Sequence, residues 1–133
     1  MYSAHDNVVL SYEVNLQKRT ISLHTENKLK SIQKNYIIFS DVMAHCFEDE
    51  INGSVILDIQ ESNISSFILY NSELILSKKN KHWPCFFNTL DELDKNLKKE
   101  GYRYFLITAS YGFNGWILSK QYNVVDHGRM HQS

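Results

Sequence analysis

Between Leu10 and Thr25 the chain alternates. Leu10, Tyr12, Val14 and Leu16 are separated by Ser11, Glu13 and Asn15, the period-two pattern of a strand with one face on a core. Polar Gln17-Lys18-Arg19 interrupts the pattern, and Ile21, Leu23 and Thr25 resume it, so the segment predicts a hairpin. Its other face carries Glu13, Ser22, His24 and Glu26, and is expected to be wet. The run from Tyr36 to Phe47 is apolar on both faces and long for one strand. A bulge at Ser40-Asp41 would shift its inward set from Ile37 and Phe39 to Val42 and Ala44. A helical turn from Asp41 to Glu48 competes with this reading; a strand is preferred. Asn52-Gly53 signals a turn, and Val55, Leu57 and Ile59 predict the next strand.

The period then changes to that of a helix. Ile64, Phe67, Ile68 and Ile75 form a stripe at helical spacing, with Ser62 or Asn63 placed to cap it. After a connection holding Pro84, Thr89-Leu-Asp-Glu92 matches a capping box and opens a second helix. Leu90, Leu93 and Leu97 are its buried stripe, and Gly101 suits the left-handed position that ends it. Beyond it, Tyr104, Leu106 and Thr108 alternate with Phe105, Ile107 and Ala109, so both faces are apolar and the strand needs cover on each side. Gly112-Phe-Asn-Gly115 turns the chain, and Trp116-Ile-Leu-Ser119 runs back. The order β-β-β-β-α-α-β-β predicts an α+β fold: an antiparallel sheet of about six strands with two helices packed on one face. Residues 1–125 read as a single α+β domain, and 126–133 as a polar C-terminal tail.

Composition supports one folded unit. The 133 residues, 43% of them hydrophobic, fit a single domain that buries about two-thirds of its unfolded surface. With 14 basic and 15 acidic residues the formal charge is −1, without the basic excess of a dedicated nucleic-acid binder. Charge is instead local: Lys78, Lys79, Lys81 and His82 after the first helix, Lys95, Lys98, Lys99 and Arg103 around the second, and the acidic runs Glu48-Asp49-Glu50 and Asp91, Glu92, Asp94. Their plain reading is solvated faces. Met1 to Asp6 lacks a basic lead into an apolar run, and no stretch reaches the ~18 apolar residues that would span a bilayer. Cys46 and Cys85 have no paired spacing, which suits free thiols in a reducing cytoplasm, with a disulfide between them left open.

Candidate chemistry is sparse. His127 and His131 have a spacing that chelates a metal on a helix, but no further ligands stand near them. His82-Trp-Pro-Cys85 also lacks the remaining ligands of a zinc site, so a loop packed by Trp83 is the better reading. His45 and Cys46 are strand neighbours that point to opposite faces, so the imidazole cannot activate the thiol, and Glu48-Asp49-Glu50 would raise its pKa. Asp58 with Glu61, and Glu13 facing His24 across the hairpin, fix no reaction class. No phosphate loop, dinucleotide fingerprint, nucleophile elbow or calcium loop occurs. These observations point away from an enzyme and require no cofactor. Eight tyrosines, with Trp83 and Trp116, exceed what a compact core needs and suit an interface; the plain alternative places Tyr102, Tyr104 and Tyr111 at sheet edges.

The stretches Ile21-Ser-Leu-His-Thr-Glu26, Ile38 to Phe47, Gly53 to Glu61 and Tyr111-Gly-Phe-Asn-Gly-Trp116 together resemble small bacterial toxin-immunity proteins. These are cytoplasmic antidotes carried beside polymorphic or contact-dependent growth-inhibition toxins. The resemblance implies a non-catalytic protein that covers the active site of a cognate toxin in a one-to-one complex, binding neither nucleic acid nor membrane directly. Against a nuclease, such as an RNase, carboxylates would imitate phosphates. The candidate contact residues are Glu48, Asp49, Glu50, Asp58 and Glu61, read as one patch around a strand pair, together with Tyr111 and Trp116. The alternatives are a small enzyme or ligand-binding domain using His24, Glu13 or His45 in a pocket, and a non-catalytic subunit of a larger complex.

Overall fold

The computed structural model describes residues 7–27, 33–51 and 53–126, without the side chains of Gln33, Ile56, Leu57, Ser110, Tyr111 and Asp126. Eight strands and two α-helices follow one another as β1 (Asn7–Asn15), β2 (Thr20–Asn27), β3 (Gln33–Ser40), β4 (Ala44–Glu48), β5 (Val55–Ser62), α1 (Ile64–Ser77), α2 (Leu90–Lys99), β6 (Arg103–Tyr111), β7 (Asn114–Ser119) and β8 (Gln121–Asp126). A short 3-10 turn, Lys79–Lys81, separates the helices. All neighbouring strands are antiparallel, in the order β4-β7-β6-β5-β1-β2-β3-β8. The β1–β5 seam has just two residue pairs, Asn7 with Ile56 and Val8 with Val55. The strands therefore form two four-stranded leaves, β4-β7-β6-β5 and β1-β2-β3-β8, hinged at that seam.

Two cores explain the pattern of both-sided apolar strands. Phe105, Ile107 and Ile117 of β6 and β7 meet Val9, Ile21, Leu23, Ile37 and Phe39 of the second leaf. Their alternate neighbours Tyr104, Trp116 and Leu118 turn the other way and meet Ile64, Phe67, Ile68 and Ile75 of α1 with Leu93 and Leu97 of α2. The molecule is thus three layers deep: helices, first leaf, second leaf. The expected α+β class and the two helices on one face are found. The expected strand count is not, for two reasons.

First, Tyr36 to Phe47 is two strands rather than one bulged strand. Asp41 takes a positive φ of 54° and ends the extended run, after which the chain crosses from the second leaf to the first. Hydrogen bonds from Val42 N to Arg19 O and from Met43 N to Leu118 O, both 2.8 Å, fix the crossing. Ile37 and Phe39 therefore serve one core and Ala44 the other, which is why the run looked apolar on both faces. Second, Gln121–Asp126 pairs with β3 as an eighth strand, inserting Tyr122 and Val124 against the inter-leaf core.

The first hairpin forms as expected, but its register differs. An irregularity between Val9 and Ser11 places Val9, Tyr12 and Val14 toward the core and turns Leu10 out, 52% exposed. Leu16 lies in the turn, 82% exposed, instead of continuing the buried face. Glu13 opposes Ser22, while His24 opposes Ser11 and meets its hydroxyl at 2.9 Å.

The helices follow their sequence signals. Asn63 Oδ1 accepts from Ser66 N at 2.8 Å to cap α1, whose buried residues are Ile64, Phe67, Ile68 and Ile75. Asn71 interrupts α1 with non-helical φ and ψ, and its amide donates to Phe67 O at 3.0 Å. Thr89 Oγ1 accepts from Glu92 N at 3.1 Å; the returning Glu92 carboxylate accepts from Asn88 N, one residue before the cap. At the far end Gly101 has φ 84°, with Gly101 N donating to Lys98 O and Tyr102 N to Leu97 O, a Schellman closure. The polar face of α2 holds the pairs Lys95–Asp91 at 3.2 Å and Lys98–Asp94 at 2.8 Å, as the solvated-face reading expects. No helix among the described residues is long and apolar enough to cross a membrane.

Candidate functional site

The five candidate carboxylates do not form one patch. Glu48 ends β4, and Asp49 and Glu50 follow it in the adjoining loop, whereas Asp58 and Glu61 lie on β5. β7 and β6 stand between those two strands, a separation of about 14 Å at ordinary strand spacing. Asp58 opposes Thr108 and shares the helix-side face, while Glu61 opposes Phe105 and takes the other. Glu61 also approaches Arg103 at 3.7 Å, and Asp58 Oδ1 accepts from Ile59 N at 2.8 Å. Glu61 is thus removed from the acidic group around Glu48-Asp49-Glu50.

Trp116, an aromatic candidate, is buried. It is 8% exposed and lies in the helix-side core, with Phe67 at a ring distance of 5.2 Å and Trp83 at 6.1 Å. Tyr102 and Tyr104 are buried in the same core rather than placed at sheet edges. Much of the aromatic excess is therefore structural. The Tyr111 side chain lies outside the described residues, as do Asn52, His127 and His131.

What remains is a surface around Glu48-Asp49-Glu50, built where β4 ends, β5 begins and the β6–β7 turn closes. Phe113 N donates to Asp49 O at 3.0 Å, so the acidic loop is tied to that turn. Gly115 permits the fit: a Cβ there would collide with Cys46 O and stand 2.9 Å from the Phe47 ring. Tyr12 crosses from β1 and donates its hydroxyl to Glu50 Oε2. That bond, more than burial, raises the pKa of the phenol. Beside it runs a groove of about 320 Å³, floored by Phe113 and bordered by Leu10, Tyr12, Glu50 and Ile51. Leu10 and Ile51 are each 52% exposed on its rim. Exposed aliphatics next to carboxylates are the feature that sequence alternation concealed, because Leu10 was counted inward.

The other candidates separate. His24 sits on the outer face of the second leaf, 4.4 Å ring to ring from Tyr36. Glu13 lies two register pairs along from it, opposite Ser22. His45 does line a cavity, of about 460 Å³, at the opposite end of β4 from Glu48. Burial lowers its pKa, against an upward pull from Glu50. His45 faces Ile117 and Cys46 faces Trp116, on opposite sides of the leaf, so the two do not act as a pair.

Both thiols are free. Burial raises the Cys46 pKa, Glu48 adds to it, and Lys78 opposes. Burial, then Glu100, raises that of Cys85. Trp83 and Cys85 pack against the helix-side core, and His82 lies outside it with its ring tilted 5.4 Å from Phe86, so the His82–Cys85 stretch is a loop packed by Trp83. Among the described residues no group of three or more His, Cys, Asp or Glu side chains is arranged to hold a metal ion. Comparison of the chain with known protein families, curated proteins and solved structures returns no match.

Proposed function

We propose that this protein is an immunity-type antidote that neutralises a cognate toxin by covering its active site in a one-to-one complex. The observation that carries the reading is the end of the sandwich around Glu48-Asp49-Glu50. There, Glu50 borders a groove whose rim exposes Leu10 and Ile51, and Glu48 and Asp49 precede it in the same run of chain. Exposed aliphatic side chains gain by burial in a complex, and the carboxylates steer a basic partner into register. A nuclease or RNase active site is such a partner, because it is built to receive phosphates. A standard interface takes about 800 Å² from each side, roughly a tenth of the 8331 Å² surface. The contact set becomes Leu10, Glu48, Asp49, Glu50 and Ile51, with Asp58 on the helix-side flank.

The test is co-expression with the protein encoded by the adjoining reading frame. A stoichiometric complex that restores growth is expected, with capture weakened about tenfold or more by Glu48→Lys combined with Asp49→Lys, and further by salt. Leu10→Asp should weaken capture while leaving the melting temperature close to the parent, since the side chain is exposed. Failure to co-purify and failure to protect would end the proposal.

A further inference from the structure

The cavity at the other end of the sandwich is built from residues distant in sequence. Arg19 comes from the β1–β2 turn, His45 from β4 and Tyr102 from the close of α2, with Val42 and Pro84 among its apolar walls. Its volume of about 460 Å³ lies within the range of small-ligand sites. Two of its polar side chains, Arg19 and Tyr102, are joined there. Arg19 Nη2 donates to Tyr102 Oη at 2.7 Å, so the phenol oxygen accepts and its own hydrogen is left to donate elsewhere. The Lys120 ammonium lies over the Tyr102 ring at 5.2 Å and adds a second positive charge beside that phenol. No lining residue is acidic, and among the described residues no carboxylate forms an ion pair with Arg19.

We propose that this cavity binds a small organic carboxylate with an apolar body. The guanidinium offers its remaining N–H groups in the fork geometry that fits a carboxylate, the Tyr102 hydroxyl supplies a further donor, and the apolar walls take the hydrocarbon. The site is separate from the acidic groove and does not depend on toxin binding.

Three probes test it by NMR on the full chain: hexanoate, benzoate and indole-3-acetate, each against its neutral primary amide. Carboxylates should shift resonances of Met43, His45 and Tyr102 and bind about tenfold or more tightly than their amides. Arg19→Gln should remove that preference; the exposed position leaves the fold intact. Tyr102→Phe, which keeps the ring in its core, should reduce it several-fold. Equal binding of acid and amide would overturn the proposal. So would shifts centred elsewhere, or no shift from any of the three carboxylates up to about 10 mM, the weak end of fragment binding.

Discussion

His45 shows how much one side chain's surroundings decide. Half-buried on the sandwich side of β4, it has a pKa below the ordinary histidine value, with burial the leading cause and Glu50 opposing it. The unfolded chain then binds a proton more readily than the folded one, so this group makes stability rise with pH. Its contribution should be complete above the unfolded value of about 6.5 and decline as the pH falls from there toward the folded pKa. His45→Gln should flatten that part of a stability–pH curve measured by urea unfolding. The two thiols give a second expectation at this scale. With both pKa values raised, iodoacetamide should label Cys46 and Cys85 in the native protein more slowly than in the unfolded chain at pH 7.5. The relation of His45 to Cys46 was legible from strand parity. The Arg19–Tyr102 contact was not, because it joins positions 83 residues apart and leaves no local pattern.

At the scale of single elements, the helices were the most legible part of the chain because their ends are local chemistry. Thr89→Ala should lower stability by about 1 kcal/mol through loss of the bond to Glu92 N, read from denaturant midpoints at unchanged slope. Gly101→Ala should cost about 1 kcal/mol or more, since φ 84° strains any side chain although no atom lies within 4 Å of the added carbon. The strands were less legible because alternation specifies a face without specifying which layer covers it. One register irregularity at Val9–Ser11 was enough to exchange Leu10 from buried to exposed, and with it the identity of the groove. Likewise β3 and β4 share one apolar run, yet Asp41 sends them to opposite leaves. β8 does carry a short alternation, Tyr122-Asn-Val124, that could have revealed it beside the polar tail.

For the whole molecule, the first leaf is the part on which both cores depend. Phe105 is fully buried between the leaves, with ring contacts to Phe39 at 5.7 Å and Tyr122 at 5.2 Å, while adjacent Tyr104 packs under the helices. Phe105→Ala should therefore cost about 3–5 kcal/mol, and the helix signal and near-ultraviolet aromatic signal should still be lost together in one transition. Separate transitions would show that the layers fold independently. The α+β class and the helix placement followed from the periodicities. The division into two leaves did not, because it depends on which strands become neighbours.

That division bears on any partner seated in the groove. Val9 N donates to Ser54 O at 2.8 Å beside the two-pair seam, so the groove straddles the joint between the leaves. A body docked on Leu10 and Ile51 holds both sides at once and acts as a splint. Amide exchange at Val55 and Ile56 should slow on complex formation, even though the partner need touch neither residue.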